Sequence, residues 1–472
     1  MDTLFETSPV DPEFLSVWPA YQSTHQLDVL RDKEYSHLDR SGHIYLDYTG
    51  AGLYATSQLR EHLTLLESDV FGNPHSRNPT SRTITDLVER CRRKVLSYFN
   101  APEGEYVAIF TANASQALKL VGEAYPFAPD GHYLLTFDNH NSVNGIREFA
   151  RAQHATITYV PLSLPDMRVN EERLHEYLAL AQPSDHNLFA YPAQSNFSGV
   201  QHPLEWIPRA KAMGWDVLLD AAAFVPTNRL DVNQWRPDFV AISFYKIFGY
   251  PTGVGCLLAN RHALAKLRRP WFAGGTITVA SVQGDRYFLA PGASAFEDGT
   301  PNYLSIPAVE IGLRHLEAVG VDVIHKRCEC LAGWLIQKLL PLRHANGTPL
   351  VRVYGALDTR RRGGTVTMNL FDPAGRIIDH LRVEEAATQH RISLRTGCFC
   401  NPGGGETALH LSKSELVGCF SQHQQDDSQF TVDDFRHCID GKGTGAVRVS
   451  LGIVSTFEDV SRFAEFVGEF LG

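Results

Sequence analysis

Between about residue 105 and residue 260, short apolar runs alternate with stretches of helical periodicity, and this alternation constrains the fold more than any other feature. The runs at 106–110, 132–137, 155–160, 188–191, 217–219 and 238–244, with a glycine-punctuated run at 253–259, are too short for helices. Their near-continuous apolarity suits strands buried on both faces. Strands alternating with helices predict a mostly parallel sheet, and such sheets bind ligands beyond the carboxyl ends of their strands. The residues that follow each run are therefore the candidates for function.

Lys246, in Ser243-Phe244-Tyr245-Lys246, falls on the loop between the last two runs. Partial desolvation there lowers an amine's pKa and makes it a nucleophile toward an aldehyde, so Lys246 reads as a Schiff-base lysine. A lone lysine at a strand end is ordinarily a solvated charge. The functional reading gains weight from Asp220, which ends the run Val217-Leu218-Leu219 and is followed by Ala221-Ala222-Ala223. A carboxylate so placed can pair with a pyridinium nitrogen, and small alanines let a flat ring approach, as a pyridoxal phosphate site requires. An aspartate at a strand end is otherwise a turn former or a helix cap.

Three more strand ends carry suitable groups. Thr111-Ala112-Asn113 opens the helix after the 106–110 run, where free backbone N–H groups suit a phosphate or simply receive a cap. His140 follows the 132–137 run and could stack on a cofactor ring, move protons or cap a helix. Asn196 follows the 188–191 run within Ala193-Gln194-Ser195-Asn196-Phe197-Ser198-Gly199.

With 472 residues and 43% hydrophobic content, the chain is long enough for two domains. A net charge of -10 gives no electrostatic case for nucleic acid or an anionic membrane surface. The amino terminus lacks a basic segment followed by an apolar one, and no run approaches a membrane span, so a cytoplasmic enzyme is expected. Eight cysteines without C-x-x-C spacing point to reduced thiols, not to a disulfide scaffold or a metal site. Cys91 lies on an apolar helical stripe with Ile84, Leu87, Val88, Val95 and Leu96 and belongs to the core.

In chain order, residues 1–40 read as an arm, and 44–52 as a short strand breaking into a glycine turn where backbone could approach a ligand. The loop at 72–81 caps the helix that carries Cys91. Gly274-Gly275-Thr276 and the loop at 296–302 look like ligand-side loops, ahead of a helical pattern at 306–319. Beyond about 320 lies a smaller α+β portion, with strands at 365–370 and 447–452 and a helix whose apolar face carries Val460, Phe463, Ala464, Val467 and Phe470. The polar stretch 421–427 reads as a mobile insertion.

The motifs Y-L-D-Y-T-G-A-G, F-G-N-P-H-S, D-N-H-N-S-V-N-G-I-R, L-D-A-A-A-F, S-F-Y-K-I-F-G-Y-P-T-G-V-G, F-E-D-G-T and R-T-G-C-F-C-N-P-G resemble, in the same order, the amino-terminal, cysteine-desulfurase-like domain of molybdenum cofactor sulfurases. That group lies within the class V aminotransferase family of fold-type I pyridoxal phosphate enzymes, usually homodimers. The resemblance implies an α/β fold with an arm (1–40), a large domain (41–320) built on a mostly parallel seven-stranded sheet, and a smaller α+β carboxyl-terminal domain (321–472). It implies that Lys246 bonds the cofactor aldehyde, Asp220 holds the pyridine nitrogen and His140 stacks on the ring. Ser243, Tyr245 and Thr111-Ala112-Asn113 would hold the phosphate, with Thr276 contributing from the other subunit. Asn196 would lie near the cofactor hydroxyl and substrate, Arg448 would clamp the carboxylate of L-cysteine or a related amino acid, and Arg395 would line the same entrance. Cys400, five residues after Arg395, would take the substrate sulfur as a persulfide, its loop swinging on the turn Asn401-Pro402-Gly403.

The chain departs from the pattern in three places. Ala223 stands where many desulfurases carry glutamine, Gly404-Gly405-Glu406 replaces a nearby third thiol, and a carboxyl-terminal domain that would bind molybdenum cofactor is not expected within 472 residues. Sulfur generation therefore carries over, and the sulfur acceptor stays unassigned. A pyridoxal phosphate C–S lyase of a specialised pathway is the alternative, since a lyase need not use Cys400. A non-catalytic scaffold would have no use for Lys246, Asp220 and Arg448.

Overall fold

The structure, a computed structural model, describes residues 11–181, 186–423, 431, 434 and 444–472. Seven strands form its main sheet: β1 (Tyr106–Thr111), β2 (His132–Thr136), β3 (Thr156–Val160), β4 (Asn187–Pro192), β5 (Asp216–Asp220), β6 (Phe239–Ser243) and β7 (Gly255–Asn260). Their spatial order is β1-β7-β6-β5-β4-β2-β3. Only β7 runs against its neighbours, and every other adjacent pair is parallel. The carboxyl ends of β1, β2, β4, β5 and β6 consequently share one edge.

The apolar runs become strands because both faces are covered. Every residue of β1, β2, β4, β5 and β6 is buried. Alternate side chains enter opposite cores: Val240 and Ile242 join one cluster, and Phe239 and Ala241 join the other. The helix Ala114–Ala124 covers the second face. Helices Pro79–Tyr98 and Ile306–Val319 pack together on the first. The former begins at Pro79, ahead of the turn-rich loop's end, because the Asn78 side chain accepts from the Ser81 N–H at 2.9 Å and proline tolerates the first helical position. Cys91 is fully buried, and burial pushes its thiol up to about 12.

A second, antiparallel sheet of β8 (Val351–Tyr354), β9 (Thr365–Leu370), β10 (Arg395–Gly397) and β11 (Ala446–Ser450) is ordered β8-β9-β11-β10. Its register sets Arg448 opposite both Thr367 and Arg395. The amino-terminal helices pack on Val321–Leu339 and Phe457–Gly468. There Phe14 meets Trp334 and Phe457, and Arg31 pairs with Asp459 at 2.6 Å. Arg327, wholly buried, donates to Asp28 and Thr24 at 2.6 Å and to the Ser455 carbonyl at 3.2 Å.

Among the described residues six cysteines are free thiols, but Cys419 is disulfide-bonded, which corrects the expectation of uniformly reduced cysteine. Most of the 421–427 stretch lies outside the described residues. None of the described helices is long and apolar enough to cross a membrane.

Truncating Arg327 strands Asp28 and opens a hole where the arm meets the carboxyl-terminal helices. Arg327→Ala should lower the unfolding free energy by about 3 kcal/mol, read from the denaturant midpoint. An unchanged midpoint would show that the arm does not depend on this buried cation.

Candidate active site

At the carboxyl edge of the main sheet, a cavity of about 200 Å³ is lined by Asn113, Ser115, His140, Asn196, Asp220, Ser243 and Lys246, with Ala222, Ala223 and Tyr245. A hollow of about 1150 Å³ lies beside Asp372, Arg376 and Glu469 but contains neither lysine nor thiol, so chemistry and not size selects the smaller one.

Lys246 sits on a one-turn helix, Phe244–Phe248, where the sequence suggested an open loop. The turn is fixed from outside by the glycine turn of residues 50–52: the Gly52 N–H donates to the Tyr245 carbonyl at 3.0 Å, and a Cβ at Gly52 would stand 2.8 Å from the Lys246 carbonyl. Backbone does approach closely there, but it approaches the lysine turn and not a ligand. Burial lowers the Lys246 pKa, with Asp220 the strongest opposing influence. Asp220 ends β5 and accepts from the Ala222 N–H on Oδ1 at 3.0 Å, which leaves Oδ2 for a further donor.

His140 caps a short helix by accepting from the Ser142 N–H on Nδ1 at 3.1 Å, so a neutral ring carries its proton on Nε2. Burial lowers its pKa first, Asp220 opposes, and Lys246 and Arg448 lower it further, which favours that neutral ring. Asn113 caps the helix Ala114–Ala124 at the cavity, and Ser243 Oγ accepts from the Ala114 N–H at 2.9 Å. Thr111 and Ala112 do not line the cavity: the Thr111 hydroxyl donates to the Asn113 carbonyl, and the Ala112 N–H donates to Gln116 Oε1. Ser115, two residues on from Asn113, does line it and meets Ser142 Oγ at 2.6 Å. Thr276 does not line this cavity. It is buried at the base of an exposed hairpin, Ile277–Ser281 with Arg286–Leu289, and bonds the Ala273 carbonyl at 2.8 Å.

The loop carrying Cys400 is held by hydrogen bonds on both sides of the thiol. Phe399 and Cys400 both adopt left-handed backbone, φ 56° and 55°, at a cost of roughly 1–2 kcal/mol each. Specific hydrogen bonds offset that cost. The Asn141 N–H donates to the Cys400 carbonyl at 2.7 Å, and Asn196 Nδ2 to the Phe399 carbonyl at 2.7 Å. Asn401, wholly buried, donates to the Asp138 carbonyl at 2.7 Å and to Asn196 Oδ1 at 2.9 Å, and accepts from the Gly404 N–H at 2.9 Å. The exposed Cys400 thiol thus stands beside the cavity, near enough for its charge to influence both Lys246 and Arg448. Arg448 donates from Nη1 to the Asn196 carbonyl at 2.9 Å and lies 4.6 Å above the Phe399 ring. Arg395 is half-exposed beside it.

The Aminotransferase class-V family profile matches residues 44–463. The chain belongs to this family. It is 38% identical to the molybdenum cofactor sulfurase of Arabidopsis thaliana over 477 residues, spanning 93% of this chain and 57% of that protein. The human molybdenum cofactor sulfurase is likewise 38% identical, over 93% of this chain and 50% of that protein. The chain therefore spans about half the length of these curated relatives. The cysteine desulfurase of Thermococcus onnurineus NA1 shares the α/β fold at a TM-score of 0.76 and 22% identity, covering 94% of this chain and 98% of that one.

The lowered pKa of Lys246 has a direct test in reductive methylation of the cofactor-free protein across a pH series. Lys246 should label with a midpoint below the ordinary lysine value of 10.5, and Asp220→Asn should move the midpoint lower still, because the carboxylate that favours the ammonium is gone. Peptide mass spectrometry that found Lys246 titrating with the exposed lysines would contradict the burial argument.

Proposed function

We propose that the protein is a pyridoxal phosphate-dependent cysteine desulfurase that takes sulfur from L-cysteine as a Cys400 persulfide and releases L-alanine. One observation carries this reading: an amine of lowered pKa, a carboxylate, an imidazole and a helix N-terminus line one cavity, while a thiol is tied down beside it. The residues fit the cofactor. Lys246 suits its aldehyde, Asp220 Oδ2 its pyridine nitrogen and His140 its ring face. Asn113, Ser115 and Ser243, at the start of an eleven-residue helix, suit its phosphate, with Tyr245 beside them. Thr111 and Ala112 support that turn from behind. When bound, pyridoxal phosphate supplies an electron sink that lets a proton leave the substrate's Cα and loosens the bond from Cβ to sulfur.

The chain's own groups do the rest. Arg448 takes the substrate carboxylate through its planar fork, with Arg395 and Asn196 at the entrance. The neutral form of Lys246, favoured by burial, accepts the Cα proton. The Cys400 thiolate attacks the substrate sulfur, so that an S–S bond forms as the C–S bond breaks. The carbon skeleton retains the bonding pair, gains a proton and leaves as alanine. A pinned loop suits this step, because attack requires fixed distance and direction.

The same reading includes a homodimer. The hairpin 277–289 exposes Val279, Val282 and Phe288, at 56%, 100% and 68%, an apolar surface that a second copy would cover. Thr276 at its base, buried and hydrogen-bonded to Ala273, would reach a neighbouring phosphate only if that loop opened on pairing. A cytoplasmic setting rests on the six free thiols, with the Cys419 disulfide as the described feature that weighs against it.

Incubation of the purified yellow protein with L-cysteine tests the proposal. Alanine should form with the extra sulfur atom on Cys400, and pyruvate should not accumulate. Cys400→Ser should keep the visible absorbance yet lose the persulfide and nearly all alanine, while Cys398→Ser keeps most activity. Pyruvate and sulfide at an unchanged rate from Cys400→Ser would replace this reading with a C–S lyase.

A further inference from the structure

The turn at residues 47–52, which braces the lysine turn through Gly52, also touches the arginines directly through Asp47. Asp47 is 7% exposed. Its Oδ2 accepts from Arg395 Nε at 3.0 Å and Nη2 at 2.5 Å, and its Oδ1 accepts from Arg448 Nη2 at 3.1 Å. One carboxylate therefore bridges two guanidinium groups that the β10–β11 register sets opposite each other.

The bridge is held from the strand that carries Arg448. The Ser450 N–H donates to the Leu46 carbonyl at 2.7 Å, and the Thr49 N–H donates to Ser450 Oγ at 2.8 Å. Gly50 leaves the carboxylate its room, because a Cβ there would stand 2.5 and 2.7 Å from the two Asp47 oxygens and 2.6 Å from Arg395 Nη2. Arg448 itself is 3% exposed, and burial pushes its pKa down to about 10, with Asp47 the strongest opposing influence.

Counting hydrogens shows what this arrangement leaves. A guanidinium has five N–H donors. In Arg448 one on Nη1 goes to Asn196, one on Nη2 goes to Asp47, and the buried Nε has no partner among the described residues. One hydrogen remains on each terminal nitrogen, available to an incoming carboxylate. Asp47 and Asn196 tether the two terminal nitrogens and so restrain the guanidinium.

We propose that Asp47 is a positioning residue for substrate recognition, a resident carboxylate that pairs Arg448 with Arg395 and aims the Arg448 fork at the carboxylate of an incoming α-amino acid. The proposal rests on Arg448 as the site of that carboxylate. Orientation and bare charge make opposite predictions: losing the Asp47 charge leaves the arginines more attractive to any anion, but leaves the fork unaimed.

The test titrates holoprotein with L-cysteine, with L-alanine, and with cysteamine, which has the amine and thiol but no carboxylate, reading the cofactor's visible absorbance. Asp47→Asn should weaken binding of both amino acids about tenfold or more and change turnover at saturating L-cysteine less than about threefold. It should leave cysteamine binding unchanged. Equal losses for cysteamine and L-cysteine would mark a merely structural role, and tighter or unchanged amino-acid binding would overturn the proposal. If Asp47→Asn does not fold, Arg395→Gln at the half-exposed end should weaken amino-acid binding and spare cysteamine, with no effect on either counting against the bridge. A wild-type protein that responds to L-alanine but makes no alanine from L-cysteine would refute the desulfurase reading and leave the Asp47 proposal standing.

Discussion

A buried amine is the constraint that the surroundings of the sheet's carboxyl edge must satisfy. An ammonium removed from water is costly, and its proton is correspondingly easier to lose. Lys246 meets that cost with a lowered pKa and with Asp220 on the neighbouring strand. Parallel β5 and β6 end side by side, so an acid at the end of one and a lysine one helical turn past the other come together without any further device. The same strand directions bring His140 and Asn113 to the cavity. Where five strand ends converge, the grouping of these side chains is a consequence of topology.

The second constraint concerns Cys400, which lies outside that sheet. Two consecutive left-handed residues would not persist on a free loop, and here they are over-determined by Asn141, Asn196 and Asn401. Asn196 is the common member: its side chain engages both Phe399 and Asn401, its carbonyl engages Arg448, and it lines the cavity. The thiol's loop and the arginine's fork are thereby referenced to the same strand end as the cavity.

How much was legible in the sequence follows from the range of the interactions involved. The strands at 238–244 and 365–370 were readable because burial on both faces writes itself as an unbroken apolar run, and the observed Phe239–Ser243 and Thr365–Leu370 fall within those limits. The helix Ile306–Val319 was readable from its period. Lys246 and Asp220 became candidates through position alone. Contacts between residues hundreds of positions apart left no local trace: Asn196 with Phe399, Asn401 with Asp138, and Asp47 with two arginines near the carboxyl end. The exposed hairpin 277–289 was passed over because its short strands carry a weak pattern beside buried ones, and the Cys419 disulfide because its spacing matches no signature. The turn at Thr111-Ala112-Asn113 was readable as a strand end feeding a helix. Which of its groups line the cavity was set by internal bonds to Gln116 and Ser243, which sequence position does not reveal.

The central claim is that Lys246 is the residue through which the cofactor is held. Borohydride reduction of the yellow protein followed by peptide mapping measures this directly. The account predicts loss of the visible band and a reduced cofactor adduct on the peptide containing Lys246, with none on any other lysine. An adduct on a different lysine, or a visible band that survives in Lys246→Ala and is still trapped by borohydride, would contradict it.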